Sequence, residues 1–138
     1  MRNGTPGIVL EEGRDSGETN RILDSHKASD IIKEIKAIGI QGKINLNPQY
    51  INIDELDFDN YHINNERQHN VTEQEAKLFI TQAKISTTTW NGRFENFYGE
   101  FGCVYVDVIN KKIRTAYKKD EFTENIIRLI EVLSNYEK

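Results

Sequence analysis

One cysteine, Cys103, stands in these 138 residues, so no disulfide forms within the chain and no thiolate zinc site finds partners. Apolar residues are scarce as well. Only 37% of the chain is hydrophobic, low for a globular protein, which points to a segment that stays out of the core. No apolar run approaches the roughly 18 residues of a membrane span. The opening MRNGTPGIVLEEGR has no apolar stretch of signal-peptide length and is not expected to direct secretion. A phosphate-binding glycine loop, a dinucleotide fingerprint and an HExxH zinc motif are all missing. The three histidines, His26, His62 and His69, are scattered and suggest no zinc or iron set, so neither metal nor cofactor is expected.

The charge is unevenly spread. The net value of −4 argues mildly against a nucleic-acid binder. Residues 84–119, however, carry +4, between flanks of −5 (residues 1–83) and −3 (residues 120–138). A basic centre of this kind can hold a phosphate locally, although lysine decoration of exposed strands would look the same.

Residues 1–24 hold four glycines and a proline without strand or helix periodicity. They read as a flexible arm or linker joining a single compact domain, 25–138, to something N-terminal of it. Ala28, Ile31, Ile32, Ile35 and Ile38 then recur at helical spacing, with Asp24 or Ser25 as cap and Gly39 as stop. Gln41 to Ile63 reads as loop and short strand, anchored by Leu56 and Phe58. Its acids Asp54, Glu55, Asp57 and Asp59 lack the turn glycine and closing glutamate of a calcium loop. The polar run NNERQHN leads into a helix announced by the capping box Thr72 and Glu75 and the staple Val71 and Ala76. That helix should end near Lys84.

Strands follow. ISTTTW alternates, Asn91-Gly92 signals a type I′ hairpin, and Phe94 to Tyr98 is the partner. In CVYVDVI, Val104, Val106 and Val108 face one way and Cys103, Tyr105 and Asp107 the other. In KIRTAY, Ile113, Thr115 and Tyr117 share a face opposite Arg114 and Ala116, and register decides whether Thr115 meets the core or a cleft. Trp90 and Phe94 read as core aromatics. A last helix begins near Asp120 with Phe122, Ile126, Leu129, Ile130 and Leu133 as its stripe. The class is α+β: N-terminal helices packed on an antiparallel sheet, with a C-terminal helix.

Between Trp90 and Tyr117 the chain concentrates Arg93, Glu95, Tyr98, Arg114, Thr115 and Tyr117, while Arg67 and His69 precede a helix N-terminus that favours anions. Cleaving RNA without metal needs a base for the 2′-hydroxyl proton, an acid for the leaving oxygen, and donors around the phosphorane. Histidine, glutamate, tyrosine, threonine and arginine supply all three. Arg93 suits a bidentate phosphate contact, and Tyr98 or Tyr105 could stack on a base. Each residue also has a plain reading. Arg93 and Glu95 could form an exposed ion pair, Thr115 and Tyr117 could serve only the sheet, and Cys103 is by default buried.

The segments RQHNVTEQEA, ISTTTWNGRFENFYGEFGCVYVDV and IRTAYKKDEF resemble the compact nuclease domains of the barnase/EndoU/colicin/RelE-like group, over about residues 45–135. The nearer likeness is to those of phage head-morphogenesis, polyvalent and polymorphic toxin proteins. The resemblance implies helices on a four-stranded antiparallel sheet and metal-independent endoribonuclease activity. His69, Arg93, Glu95, Thr115 and Tyr117 would be catalytic, with Arg67, Tyr98 and Arg114 binding substrate. The group's late second histidine is missing, so its proton-transfer role falls to Glu95 or Tyr117. Implied partners are RNA, a cognate inhibitor (immunity) protein and a larger phage or toxin protein carrying the domain. No membrane is implied; the site of action is the cytoplasm, with a virion-associated or delivered form before it. The rival reading is a non-catalytic module of a phage or mobile-element protein that binds protein or nucleic acid. A third, an inhibitor of a basic partner, rests only on the acids of residues 54–59.

Overall fold

The computed structural model describes residues 25–136, and the arm expected over residues 1–24 lies outside them. In chain order the described residues form α1 (Ser25–Ile38), β1 (Lys43–Asn45), β2 (Asp57–Phe58), a π-helical turn (Tyr61–Glu66), α2 (Glu73–Thr81), β3 (Ile85–Thr89), β4 (Phe94–Tyr98), β5 (Gly102–Asp107), β6 (Lys112–Lys118) and α3 (Glu124–Tyr136). They divide into two compact units. One takes the residues up to Ile40 and those from Ile127; the other is Gln41–Ile126.

The first unit is helical. Ile31 and Ile35 lie one turn apart on α1, Leu129 and Leu133 one turn apart on α3, and all four are buried, as their spacing predicts. Tyr136 Oη donates to the Glu34 carboxylate, tying α3 to α1. Gly39 ends α1 in a left-handed conformation (φ 108°) that glycine adopts without a Cβ clash. α3 starts four residues later than the sequence suggests, because Lys119–Glu121 first makes a single 3-10 turn.

The second unit is a six-stranded sheet in the order β1-β3-β4-β5-β6-β2, antiparallel except for the β2–β6 edge pair. The α+β class stands. The count differs from the four strands expected, because two very short edge strands come from the segment read mainly as loop. They are too brief to show a period, and β2 forms by docking: Asp57 N–H donates to Lys111 O and Asp59 N–H to Ile113 O.

α2 packs against β4, β5 and β6. Its capping box is complete: Thr72 Oγ1 accepts from Glu75 N–H, and the Glu75 carboxylate accepts from Thr72 N–H, both at 3.0 Å. Ala76, Phe79 and Ile80 meet Phe97, Val104, Val106, Ile113 and Ala116 of the sheet, joined by Leu56, Ile63 and Val71. Each of the larger apolar side chains contributes about 1.5–3 kcal/mol by leaving water. The helix stops at Thr81, three residues short of Lys84.

Strict alternation fails in β6. A bulge lies where the partner of Tyr105 is Thr115 but that of Val106 is Ile113, leaving Arg114 as an extra residue. Ile113 and Ala116 therefore both face α2, while Thr115 and Tyr117 turn to the other side with Tyr105 and Cys103. Ile113 thus does not share a face with Thr115 and Tyr117, although alternation in the sequence suggests that it does.

The β3–β4 hairpin exists, with a longer loop than Asn91-Gly92 alone. Pairing ends at Thr89–Phe94, so Trp90 leaves the ladder and stands 78% exposed rather than in the core.

Gly102 on β5 lies under Phe79, where an added Cβ would come within 2.4 Å of the ring. Gly102→Ala is expected to destabilise the protein by about 1–3 kcal/mol through overpacking, read as a lower urea midpoint.

Candidate functional site

His69 is held by its surroundings before any ligand is considered. Its N–H donates to Ile63 O at 3.0 Å, just after the π-helical turn. Asn64 then clamps the loop: its Oδ1 accepts from Val71 N–H at 2.8 Å and its Nδ2 donates to Val71 O at 2.7 Å. Between these ties the chain bends sharply, with Gln68 (φ 56°) and Asn70 (φ 59°) both left-handed on either side of His69. Backbone in that region is uncommon for residues other than glycine and often accompanies function.

The imidazole Nδ1 lies 2.9 Å from Glu121 Oε1. An ionised carboxylate only accepts, so this contact places a proton on Nδ1 and leaves Nε2 as the basic nitrogen. The His69 ring is largely shielded, 17% exposed, while Glu121 is exposed at 39%, so solvent reaches the carboxylate side of the pair. The ring also packs on Tyr117, 5.8 Å between centroids and tilted by 44°.

Tyr117 opens onto a row of aromatic hydroxyls. Its Oη lies 2.6 Å from Tyr105 Oη, with the rings edge to face. Tyr98 stands edge-on to Tyr105, and Phe122 edge-on to Tyr117. Burial pushes all three tyrosines above their ordinary ionisation range, Tyr117 most; Cys103 and Tyr105 beside it add to the effect. They remain neutral donors. Since one hydroxyl of the Tyr105–Tyr117 pair donates to the other, the acceptor keeps a proton for a ligand. The Cys103 thiol, completely buried, is pushed up to about 12 by that burial and is no nucleophile at neutral pH. Thr115 sits across from Tyr105 on the same face.

The other expected site residues go elsewhere. Glu95 pairs in register with Thr88 and Val106, on the α2 side of the sheet, and is buried. Its carboxylate accepts from Ser86 Oγ (2.5 Å), Thr88 Oγ1 (2.7 Å) and Asn45 Nδ2 (3.0 Å). That is a satisfied internal carboxylate facing away from Tyr117. Arg93 is also distant. Its guanidinium binds Asp107 Oδ2 through Nη2 at 3.1 Å and Nε at 3.3 Å. Asp107 is four residues along β5 from Cys103, or about 13 Å. The expected Arg93–Glu95 ion pair does not form, since each carries its own partners. Arg114 occupies the bulge with Nε 3.5 Å from Asp59 Oδ2. Arg67 is exposed at the end of the π-helical turn, and Tyr98 is buried rather than open to a base.

The structure thus unites His69, Thr115, Tyr117 and Tyr98 with two residues not foreseen as site members, Tyr105 as a proton donor and Glu121. Glu121 lies 52 residues from His69 in sequence, and no local pattern announces that pairing. Among the described residues, no three His, Cys, Asp or Glu side chains converge as a metal-holding group, and no helix is long and apolar enough to cross a membrane. No protein-family model, curated protein or solved structure matches the chain.

Asp107 gives a test of the Arg93 end. The Asn110 backbone N–H, then the Asn110 side chain and Arg93, hold its carboxyl at about 2 against an ordinary 3.8, with burial opposing them. A carboxyl depressed in the folded state contributes stability above its unfolded value and loses it as pH falls through the folded one. The difference in urea midpoint between wild type and Asp107→Asn should therefore be wide at neutral pH. It should narrow between about pH 4 and pH 2.

Proposed function

We propose that this chain is a metal-independent endoribonuclease whose centre is the His69–Glu121 pair with Tyr117 and Tyr105. The supporting observation is a histidine fixed by a carboxylate on one nitrogen, with its ring against a neutral, hydrogen-bonded tyrosine. Such a group moves protons but brings no nucleophile, because the nearby thiol is buried and protonated. It therefore suits a substrate carrying its own nucleophile, and the 2′-hydroxyl of RNA is one. The likeness to barnase/EndoU/colicin/RelE-like nucleases supports the same reading.

His69 Nε2 takes the 2′-hydroxyl proton, and Glu121 stabilises the imidazolium that results. The 2′-oxygen attacks the adjacent phosphorus, and the bond to the 5′-oxygen breaks. Tyr117 gives its proton to that oxygen as the bond breaks, and the Tyr105 hydroxyl hydrogen-bonds the phenolate that results. Tyr105 shares its proton with Tyr117, and the hydroxyl of Thr115 adds a donor on the same face. Arg67, exposed two residues before His69, contributes positive charge towards the phosphate. Glu95 and Arg93 take no part in proton transfer. The products are a 2′,3′-cyclic phosphate and a 5′-hydroxyl. RNA as substrate, a cognate inhibitor protein and a larger phage or toxin protein as carrier belong to the same proposal, with action in the cytoplasm.

A second reading, a non-catalytic module that binds protein or nucleic acid, draws support from the exposed Trp90 and Ile109. One assay separates the two. Purified protein incubated with RNA in EDTA should cleave it, and His69→Ala should slow cleavage by about 100-fold or more. Glu121→Gln should lose less, since the ring remains, and Tyr117→Phe should lose its proton donor while circular dichroism stays unchanged. Absence of cleavage in the wild type rejects the enzyme in favour of the binding module.

A further inference from the structure

The β3–β4 loop holds its side chains at a cost in conformation. Trp90 (φ 54°), Asn91 (φ 54°) and Gly92 (φ 91°) are all left-handed in succession. Glycine tolerates this freely and asparagine fairly well, but a bulky indole does not. The strain is not offset by burial, since Trp90 is 78% exposed. What keeps it in place is its support. Arg93 N–H donates to Trp90 O at 3.1 Å, and Val108 N–H donates to Arg93 O at 2.9 Å, tying this loop to the β5–β6 turn. Phe94 meets the indole edge-on, 6.4 Å between centroids at 79°. The Arg93 guanidinium lies 5.2 Å over the Phe94 ring and is anchored on Asp107.

An exposed aromatic on a rigid, strained mount presents a flat face to something planar. A half-exposed cation, Arg93, stands over the ring that meets the indole. Asp107 is spent on Arg93, on the Ile109 and Asn110 N–H groups and on the Asn110 side chain, while Lys112 pairs between Asp107 on β5 and Asp57 on β2. Aromatic faces beside cations bind single-stranded nucleic acid by stacking on bases, since every base has such a face. We infer that Trp90, with Arg93 beside it, is a base-stacking site for single-stranded RNA, separate from the His69 centre. Its choice of ligand rests on the ribonuclease reading. Asp107 beside the loop lies about 13 Å along the strands from the level of Tyr117, close to four stacked bases, so one short strand can engage both.

Trp90 is the only tryptophan in the chain, so its fluorescence reports on this site alone. The full chain is titrated with a single-stranded 2′-O-methyl oligonucleotide, which binds without being cleaved. Saturable quenching is expected in the wild type. In a parallel anisotropy titration of the labelled oligonucleotide, Trp90→Ala should weaken binding by about tenfold or more, and Trp90→Phe should restore most of it. Arg93→Gln should lower affinity and flatten its dependence on salt. No quenching at saturation, or affinity indifferent to Trp90→Ala, overturns the inference and leaves the loop as a protein-contact surface. The two proposals fail separately: quenching in a chain that cleaves nothing keeps the stacking site and rejects the nuclease, and cleavage without quenching does the reverse.

Discussion

The extra residue in β6 decides where everything else can stand. With Arg114 bulged out, Ile113 and Ala116 both reach the core beneath α2, while Thr115 and Tyr117 appear on the opposite face. The same place organises the neighbouring chain. Asp59 N–H donates to Ile113 O, Asp59 Oδ1 accepts from His62 N–H, and Asp59 Oδ2 faces Arg114. From there Asp59 O accepts from Ile63 N–H and Ile63 O from His69 N–H, so the histidine loop is registered on β6 through a short chain of backbone contacts. Tyr117 and His69 meet because one bulge serves them both. Without it, strict alternation would send either Ile113 or Ala116 out of the core.

The sheet carries polar chemistry on both faces and at both ends, with different purposes. On the α2 side the Glu95 carboxylate is enclosed by Ser86, Thr88 and Asn45, which satisfy it at the expense of any outside ligand. At the Arg93 end, Asp107 accepts hydrogen bonds from Arg93, from two backbone N–H groups of the β5–β6 turn and from Asn110. These carboxylates stabilise the frame. At the other end the arrangement is different, because His69 and Glu121 come from separate loops and meet beside neutral tyrosines. Fixed orientation with a ring nitrogen left over is what a proton-transfer group requires and what a packing histidine does not.

Local patterns made much of the fold legible. The isoleucine spacing of α1, the Thr72–Glu75 box and the valine alternation of β5 each depend on residues close in sequence, and each appears as read. The edge strands, the π-helical turn and the bulge depend on contacts across the sheet and left no local trace. The site was half legible. His69 and Tyr117 stood out by residue type and place, but Glu121 is chosen only by the tertiary fold. Arg93 and Glu95 share strand parity in the sequence, but Arg93 lies before β4 in the helical end of the β3–β4 loop and reaches Asp107, whereas Glu95 lies within β4 and faces inward. Trp90 reads as a core aromatic in the sequence, but the end of the β3–β4 ladder puts it in water.

The proposed reaction needs a substrate that supplies its own nucleophile. The most direct measurement sets the protein, in EDTA, against two oligonucleotides of one sequence, one ribose throughout and one deoxyribose. A metal-independent transesterifying ribonuclease should cut only the ribose strand, leaving 2′,3′-cyclic phosphate and 5′-hydroxyl ends. Cleavage of both strands, or ends of any other kind, contradicts it.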